Sequence, residues 1–134
     1  MKKAVVCDLD GTFFHNEQWD GSMETFYKTL DTCYPVEWCQ MVLQGLAMQG
    51  VHVLFVTARD EMCKHLTTLQ LRKYCDFSWD LYMRSDGDLR DDYEVKLDIL
   101  ENLSKQYELL CCIDDNPNNC VYLKKFVPTL QVIL

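Results

Sequence analysis

Residues 3–14 read KAVVCDLDGTFF, an apolar run that ends in two aspartates and a glycine. The apolar part is rich in β-branched residues and predicts a short buried strand. Asp8 and Asp10 follow it two residues apart, where like charges repel unless a cation or a proton compensates them. Gly11 allows the chain to turn sharply after them. This stretch therefore predicts a strand whose carboxyl end carries a charged site.

Similar apolar runs recur along the chain and alternate with longer segments of helical period. The runs are KAVVCDLD (3–10), VHVLFVTAR (51–59), WDLYMRSD (79–86), ELLCCIDDN (108–116) and TLQVIL (129–134). Continuous apolar strands separated by helices are typical of a parallel sheet that is covered on both faces. The sequence therefore predicts an α/β fold, a doubly wound, Rossmann-like parallel sheet sandwiched by helices.

The segments between the runs predict helices with one buried stripe each. The stripes are Trp38, Met41, Val42 and Leu46 in residues 36–49, Met62, Leu66 and Leu69 in residues 61–74, and Val95, Leu97, Ile99, Leu100 and Leu103 in residues 93–107. Asn116 followed by Pro117 predicts a capped start for a short helix through Phe126. Residues 14–35 fit neither pattern, and we expect a flap or small cap there, inserted between the first strand and its helix.

Length and charge limit the class of protein. With 134 residues, 49% of them hydrophobic, the chain can bury a sizeable core but is short for two ordinary domains, so we expect one domain over residues 1–134. The net charge of -8 argues against a basic face that binds extended duplexes. Residues 1–30 lack the apolar segment of a secretory signal, and no stretch approaches the roughly 18 apolar residues of a membrane span. We therefore expect a cytoplasmic protein with no membrane contact, and the sequence leaves its oligomeric state open.

The chain has eight cysteines, a high count for its length. None belongs to a CxxC pair, and several lie within apolar runs. Because an unpaired cysteine packs like a small hydrophobic residue, we predict buried free thiols rather than a zinc site or a disulfide framework.

Ligands of doubly wound sheets bind beyond the carboxyl ends of the strands, so polar residues that follow the predicted strands should form one site. These residues are Asp8, Asp10, Thr57, Arg59, the segment from Arg84 to Asp88, Asp114 and Asp115. Carboxylates can converge there only if a cation or hydrogen bonds compensate them, and oxygen ligands favour Mg²⁺. The sequence predicts a magnesium site that also binds a phosphate oxygen. Thr57 and the backbone amides near Gly11 could hold other phosphate oxygens, and Lys96 supplies positive charge from the first turn or two of its predicted helix.

The motifs DLDGT (8–12), VTAR (56–59) and IDDN (113–116), with Lys96 before the last, resemble those of the haloacid dehalogenase superfamily of phosphotransferases. The three motifs and the lysine appear in this order along the chain. Each motif follows or ends an apolar strand, and the lysine lies on a predicted helix. The resemblance implies that Asp8 is the nucleophile and forms an aspartyl-phosphate. It implies that Asp10 is the general acid, which protonates the leaving oxygen and then activates water.

The same resemblance implies the ligands of the phosphoryl group and of the metal. Thr57 and Lys96 would bind phosphoryl oxygens, next to Gly11 and Thr12 as substrate-binding residues of the first motif. The Mg²⁺ ligands would be Asp8, the main-chain carbonyl of Asp10 and Asp114. Asp115 would either bind the ion itself or contact one of these ligands.

The segment RSDGDLRDDYEVK (84–96) is similar to the one that precedes the motif lysine in the 3′-phosphatase domain of polynucleotide kinases. The matching positions are Arg84, Gly87, Asp88, Arg90, Asp92 and Lys96. No GxxxxGK[ST] kinase loop is present in the sequence. Arg59, Arg84 and Arg90 are candidates for binding a substrate phosphate, since guanidinium matches phosphate oxygens. Arg84 and Arg90 could instead pair with neighbouring aspartates and order the loop.

Trp19, Phe26 and Tyr27 of the expected flap allow two interpretations. They could stack a nucleobase, or they could pack the flap onto the core.

These observations favour a Mg²⁺-dependent phosphomonoesterase that acts on a nucleotide or a nucleic-acid 3′ end. A phosphatase of small phosphorylated metabolites, such as 5′-nucleotides or sugar phosphates, is the first alternative and fits the acidic composition. A binding module that keeps the fold without turnover is the second, although neither Asp8 nor Asp10 is missing.

Overall fold

The computed structural model describes residues 1–132, in which a parallel sheet lies between two layers of helices. The strands are β1 (Lys2–Cys7), β2 (Phe14–His15), β3 (Tyr34–Pro35), β4 (His52–Asp60), β5 (Trp79–Arg84), β6 (Tyr107–Asp114) and β7 (Thr129–Gln131). The helices are α1 (Met23–Lys28), α2 (Glu37–Met48), α3 (Lys64–Tyr74), α4 (Asp92–Leu103) and α5 (Pro117–Leu123). Ile133 and Leu134, the end of the predicted TLQVIL strand, lie outside the described residues.

The main sheet has the order β5-β4-β1-β6-β7, and all of its strand pairs are parallel. β1 is central. The chain moves outward on one side of it through β4 and β5, and then crosses to the other side through β6 and β7. This confirms the doubly wound α/β fold predicted from the sequence, and it places the reversal of strand order beside β1.

The core lies on both faces of the sheet, because successive residues of a buried strand point to opposite faces. On one face Val5 and Phe55 pack with Leu43 of α2 and Leu71 of α3. On the other face a separate cluster combines strand and helix residues, namely Ala4, Val6, Leu54, Val56, Leu100, Leu103 and Leu123. The continuous apolar runs are therefore explained by burial on two sides.

The predicted stripe of α2 is wrong at three of its four positions, whereas Leu46 packs on the core as predicted. Trp38, Met41 and Val42 are exposed, and the helix buries Cys39 and Leu43 instead. The helix is apolar around much of its circumference, so two stripes of helical period compete in the sequence. Packing on the sheet selects the second stripe.

The predicted stripe of α3 is also wrong at two of its three positions, whereas Leu66 packs on the core as predicted. Met62 and Leu69 are exposed, whereas Thr67 and Gln70 are buried beside Leu71. This helix turns a polar face inward because the buried side chains form hydrogen bonds to a buried arginine, described below.

Three predicted helix boundaries also shift. The segment from Glu61 begins with a short 3-10 turn, Glu61–Cys63, before α3. α4 ends at Leu103, so that Tyr107 starts β6. α5 ends at Leu123 rather than Phe126, and its Asn116 cap and first-turn Pro117 are as predicted.

Residues 14–35, which the sequence predicts as a flap and which are called the flap segment below, contain the short antiparallel pair of β2 and β3 with α1 between them. Phe14 and Leu30 of this segment are buried in the core cluster on the α2 and α3 face. The segment is thus anchored to the sheet while its middle extends over the carboxyl ends of the strands.

All eight cysteines lie in the described part of the chain and are free thiols, six of them buried. Burial raises the pKa of Cys33 to about 11 and that of Cys75 to about 12. The prediction of buried free thiols is confirmed. Separately, no helix within residues 1–132 is long and apolar enough to cross a membrane.

Candidate functional site

Strand register brings two aspartates together at the carboxyl ends of β1 and β6. Cys7 pairs with Ile113, and the Asp8 backbone N–H donates to the Ile113 carbonyl at 2.9 Å. Asp8 and Asp114 therefore occupy adjacent positions as their strands end, and both are buried. On the other side of β1, Cys7 pairs with Phe55 of β4. Thr57 follows two residues later and is buried at the same edge of the sheet.

Lys96 links the two aspartates. It lies in the second turn of α4, and its buried Nζ donates to Asp8 Oδ1 at 2.8 Å and to Asp114 Oδ2 at 2.6 Å. Burial alone would lower the pKa of Lys96, but the two carboxylates raise it above its ordinary value. Burial raises the pKa of Asp8, and the Lys96 ammonium opposes this rise. α4 thus supplies the positive charge expected at this position.

A third carboxylate completes an acidic cluster. Asp8, Asp114 and Asp115 each offer an oxygen within 4.8 Å of the others. The Thr12 hydroxyl lies 3.2 Å from Asp8 Oδ2 and 3.1 Å from Asp115 Oδ1 and donates to this pair. Three carboxylates against the single Lys96 ammonium leave two uncompensated negative charges in a largely buried place. An all-oxygen donor set with this charge fits Mg²⁺.

Gly11 makes the close approach of Asp115 possible. Its φ of 85° lies in the left-handed region, which favours glycine. A Cβ atom at this position would also overlap the Asp115 carboxylate. The glycine that the sequence analysis interpreted as a turn residue therefore makes room for a member of the acidic cluster as well.

Asp10 is held by Arg59. The Asp10 carboxylate accepts from Arg59 Nη2 at 2.8 Å and from Nε at 2.9 Å, a bidentate pair. The guanidinium is fully buried, and its Nη1 donates to Thr67 Oγ1 at 3.0 Å and to Gln70 Oε1 at 2.8 Å. Substrate binding by Arg59 stays a prediction, whereas the observed contacts fix the position of Asp10.

Thr67 and Gln70 belong to this arrangement, although the sequence analysis did not identify them. The available signal was weak. Both are polar residues three positions apart on one face of the predicted helix, and only a buried cation explains why that face turns inward.

Arg84 orders the loop that follows β5. Its guanidinium donates to the carbonyl oxygens of Ala58, Asp88 and Arg90 and to the Asp92 carboxylate. All three of its nitrogen atoms are engaged within the protein. This arrangement matches the loop-ordering alternative.

Arg90 is engaged in the same way. It pairs with Asp88 and with Asp98 of α4. Its hydrogen bonds lower the pKa of Asp88 to about 2. Substrate binding by Arg84 and Arg90 stays a prediction.

A cavity of about 440 Å³ opens at this end of the sheet. Asp8, Asp10, Thr57, Lys96 and Asp115 line it, together with the three arginines. Gly11, Thr12 and Asp114 are not among the described residues that line it, and both Thr12 and Asp114 are fully buried. The Thr57 hydroxyl accepts from the Arg59 backbone N–H at 3.1 Å, which leaves its hydrogen available to a ligand.

Two asparagines that the sequence did not predict as site residues, Asn116 and Asn119, also line the cavity. Asn116 caps α5 by accepting from the backbone N–H groups of Asn118 and Asn119. Asn119 is buried, yet it faces the cavity.

The flap segment forms part of the rim. Phe26 and Tyr27 are partly buried and pack on the core, as the packing interpretation predicts. Trp19 also lines the cavity but remains 43% exposed.

The comparisons with known proteins agree on one family. A family model described as the polynucleotide kinase PNKP phosphatase domain matches residues 2–132. Over 124 residues the chain is 27% identical to a predicted bifunctional polynucleotide kinase/RNA ligase of Autographa californica nuclear polyhedrosis virus. The match covers 86% of this chain and 17% of that protein.

Solved structures give the same result. A chain in the structure of the Pnkp1/Rnl/Hen1 RNA repair complex superposes with a TM-score of 0.86 at 29% identity, over 98% of this chain and 42% of that one. A second structure of the Pnkp1/Rnl/Hen1 complex gives a TM-score of 0.85, also at 29% identity and 98% coverage, over 46% of its chain. The chain therefore spans less than half the length of each of these relatives.

Proposed function

Because the chain belongs to the polynucleotide kinase PNKP phosphatase domain family, we propose that it is a Mg²⁺-dependent phosphomonoesterase acting on nucleotide or nucleic-acid 3′-phosphate ends. The observation that carries this proposal is the cluster of Asp8, Asp114 and Asp115 at the carboxyl end of the sheet, in which Lys96 pairs with the buried Asp8 and Asp114. The similarity to chains of RNA repair complexes supports nucleic-acid ends as the substrate and repair proteins as partners.

Asp8, Asp114 and Asp115 would hold the Mg²⁺ ion, whose two positive charges would add to that of Lys96 and balance the three carboxylates. When bound, the ion supplies positive charge that offsets the negative charge of the phosphate and of the nearby carboxylates. Lys96 and the Thr57 hydroxyl bind two phosphoryl oxygens from the protein side. Lys96 thereby keeps both aspartates in place and contacts the substrate.

The first step transfers the phosphoryl group to Asp8. A carboxylate oxygen of Asp8 attacks phosphorus, so that a new oxygen–phosphorus bond forms while the ester bond breaks. Asp10 is paired with Arg59 as a carboxylate before substrate binds, and it gives a proton to the departing oxygen after taking one up from solvent. The products are the free hydroxyl of the substrate and an aspartyl-phosphate on Asp8.

The second step releases phosphate. Asp10 accepts a proton from a water molecule, whose oxygen bonds to phosphorus as the bond to Asp8 breaks. Inorganic phosphate leaves, Asp8 returns to a carboxylate, and Asp10 has regained its proton. The residues of the protein are therefore restored after each turnover.

A phosphatase of small phosphorylated metabolites is the second candidate. The paired arginines and the net charge of -8 favour it, since neither provides a basic surface for a polymer. Under this alternative the catalytic residues keep the same roles, and only the substrate differs.

The test is phosphate release from a panel of monoesters. The panel contains a 3′-phosphorylated oligonucleotide, nucleoside 3′- and 5′-monophosphates, sugar phosphates and p-nitrophenyl phosphate. We expect release in Mg²⁺, abolished by Asp8→Asn but kept by Asp76→Asn, an exposed control outside the cavity. Equal activity of Asp8→Asn would exclude the nucleophile, and preference for small esters would select the second candidate. Mg²⁺ binding without release from any ester would indicate a binding module.

A further inference from the structure

The lysine and arginines around the cavity are already neutralised. Lys96 pairs with Asp8 and Asp114, and Arg59 pairs with Asp10. Arg84 and Arg90 also have carboxylate partners. Among residues 1–132, no lysine or arginine lining the cavity is without an acidic partner. The cavity therefore offers little for the phosphodiesters that precede the end of a chain.

The rim of the cavity instead presents apolar side chains to solvent. Trp19 and Met23 of the flap segment are 43% and 66% exposed. Leu89, in the loop of residues 85–91, is 95% exposed and lines the same cavity. Apolar surface shared by two segments around one cavity indicates a ligand with an apolar part.

Trp19 is fixed in place before any ligand arrives. Its indole N–H donates to the Ser22 carbonyl at 2.8 Å, so its polar atom is satisfied within the protein. The ring packs edge-on against Phe26 at 5.3 Å, and Phe26 packs against Tyr27 at 5.1 Å. Tyr27 contacts the core cluster. What Trp19 offers a ligand is therefore the surface of a rigid aromatic ring.

Leu89 is also held by its neighbours. Arg84 Nη1 donates to the carbonyl oxygens of Asp88 at 2.9 Å and Arg90 at 2.6 Å, on both sides of Leu89 in the chain. The ion pair between Asp88 and Arg90 closes the same loop. The backbone around Leu89 is thus fixed while its side chain points to solvent.

We propose that Trp19 and Leu89 form a nucleobase-binding site for the nucleotide that carries the phosphate to be removed. The proposal rests on the proposed function and specifies its substrate as an unpaired terminal nucleotide, because a base at the end of a duplex is stacked on its neighbour and has only one free face. A planar base fits an aromatic ring and an aliphatic side chain, and its stacking on aromatic rings tolerates all sequences. Recognition then depends on the terminal base rather than on the phosphodiester chain.

The test compares two single-stranded oligonucleotides that differ only at their 3′-phosphorylated terminal nucleotide, which carries a base in one and is abasic in the other. Stacking of one base contributes enough to change kcat/KM by about tenfold. We expect the wild type to prefer the base-containing end by about that factor. Trp19→Ala and Leu89→Ala should bring the ratio of the two kcat/KM values toward one. Trp19→Phe should keep most of the preference for the base-containing end. Trp38→Ala and Leu69→Ala, exposed residues away from the cavity, should leave the ratio unchanged.

Failure of this proposal can be separated from failure of the proposed function. If the wild type removes phosphate equally from both ends, base binding is overturned and the phosphatase proposal stands. If it releases phosphate from no ester, the phosphatase proposal fails. Base binding is then measured as the affinity of the Asp8→Asn variant for the same two oligonucleotides, where equal affinities overturn it.

Discussion

At the scale of single residues, Gly11 combines two constraints that can be separated by substitution. Gly11→Ala introduces left-handed strain and a Cβ that overlaps the Asp115 carboxylate. We expect it to lower the free energy of unfolding by about 1 to 2 kcal/mol and to reduce phosphate release strongly. Urea denaturation and a release assay measure the two effects.

Gly50→Ala is the matched control. Gly50 has a φ of 84°, almost the same as Gly11, but a Cβ there would meet nothing within 4 Å. It should lose similar stability and keep its activity. If both variants keep full activity, the place of Asp115 in the site is contradicted.

Arg59 also allows two roles to be distinguished at this scale. Arg59→Lys keeps the charge but loses the bidentate pair with Asp10 and the fixed bonds to Thr67 and Gln70. If Arg59 positions Asp10, kcat should fall by about tenfold or more while KM changes little. Steady-state kinetics with a 3′-phosphorylated oligonucleotide measures the two constants.

Arg72→Lys provides the comparison, since Arg72 is exposed on the same helix as Thr67 and Gln70. It should leave both constants unchanged. A rise in KM for Arg59→Lys with kcat unchanged would show that Arg59 binds the substrate phosphate instead.

At the scale of elements, strands were easier to predict than helix faces. A strand of this sheet is apolar along its whole length because both of its faces are covered. It can therefore be predicted without deciding which face is buried. In α2, two apolar stripes compete, and only packing on the sheet excludes the one that contains Trp38 and Met41. The sequence therefore predicts the presence of these helices better than their orientation.

The residues of the site also differ in how well the sequence predicts them. Asp8 and Asp114 can be placed together from the sequence because parallel strands share one carboxyl edge. The role of Gln70 could not be predicted in this way, since it depends on Arg59 from another element and on the carbonyl of Leu30 in the flap segment. Bonds between distant segments leave no periodic trace in the sequence.

The polar face of α3 predicts that an apolar side chain at a buried position should destabilise the protein. Gln70→Leu removes an acceptor from Arg59 and a donor from the Leu30 carbonyl. We expect the free energy of unfolding to fall by about 1 to 3 kcal/mol, because both buried groups lose their partner. Chemical denaturation measures the change.

The neighbouring position supplies the opposite substitution. Leu69 is 47% exposed, and Leu69→Gln should change the stability by no more than about 0.5 kcal/mol. If Gln70→Leu instead stabilises the protein, the buried polar face does not support Arg59 as described.

At the scale of the whole molecule, the uncompensated charge of the acidic cluster should couple folding to Mg²⁺. An ion that binds only the folded state at about 100 times its Kd adds about 2.7 kcal/mol of stability. We expect Mg²⁺ to raise Tm by several degrees, and Asp115→Asn to reduce this rise at the same concentration. Thermal unfolding with and without Mg²⁺ measures both. Asp76→Asn, an exposed control, should keep the full rise, and an equal rise in Asp115→Asn would remove Asp115 from the proposed ligands.

The charge of the whole molecule also determines how its activity should depend on salt. Each phosphate neutralised on a single strand contributes about -0.7 to the slope of log affinity against log salt. Since the lysine and arginines of the cavity are paired within the described chain and the net charge is -8, we expect a slope of kcat/KM near zero for a 3′-phosphorylated oligonucleotide. The measurement varies KCl at constant Mg²⁺.

Leu89→Lys tests whether this assay can detect a phosphate contact, because it places a cation at the exposed rim of the cavity. Its slope should become more negative by up to about 0.7, the value for one phosphate. A wild-type slope of about -2 would contradict the expected slope near zero, since about three phosphates would then have to be neutralised. The arginines would have to exchange their aspartates for the substrate backbone, and the enzyme would recognise the length of a strand rather than its last base.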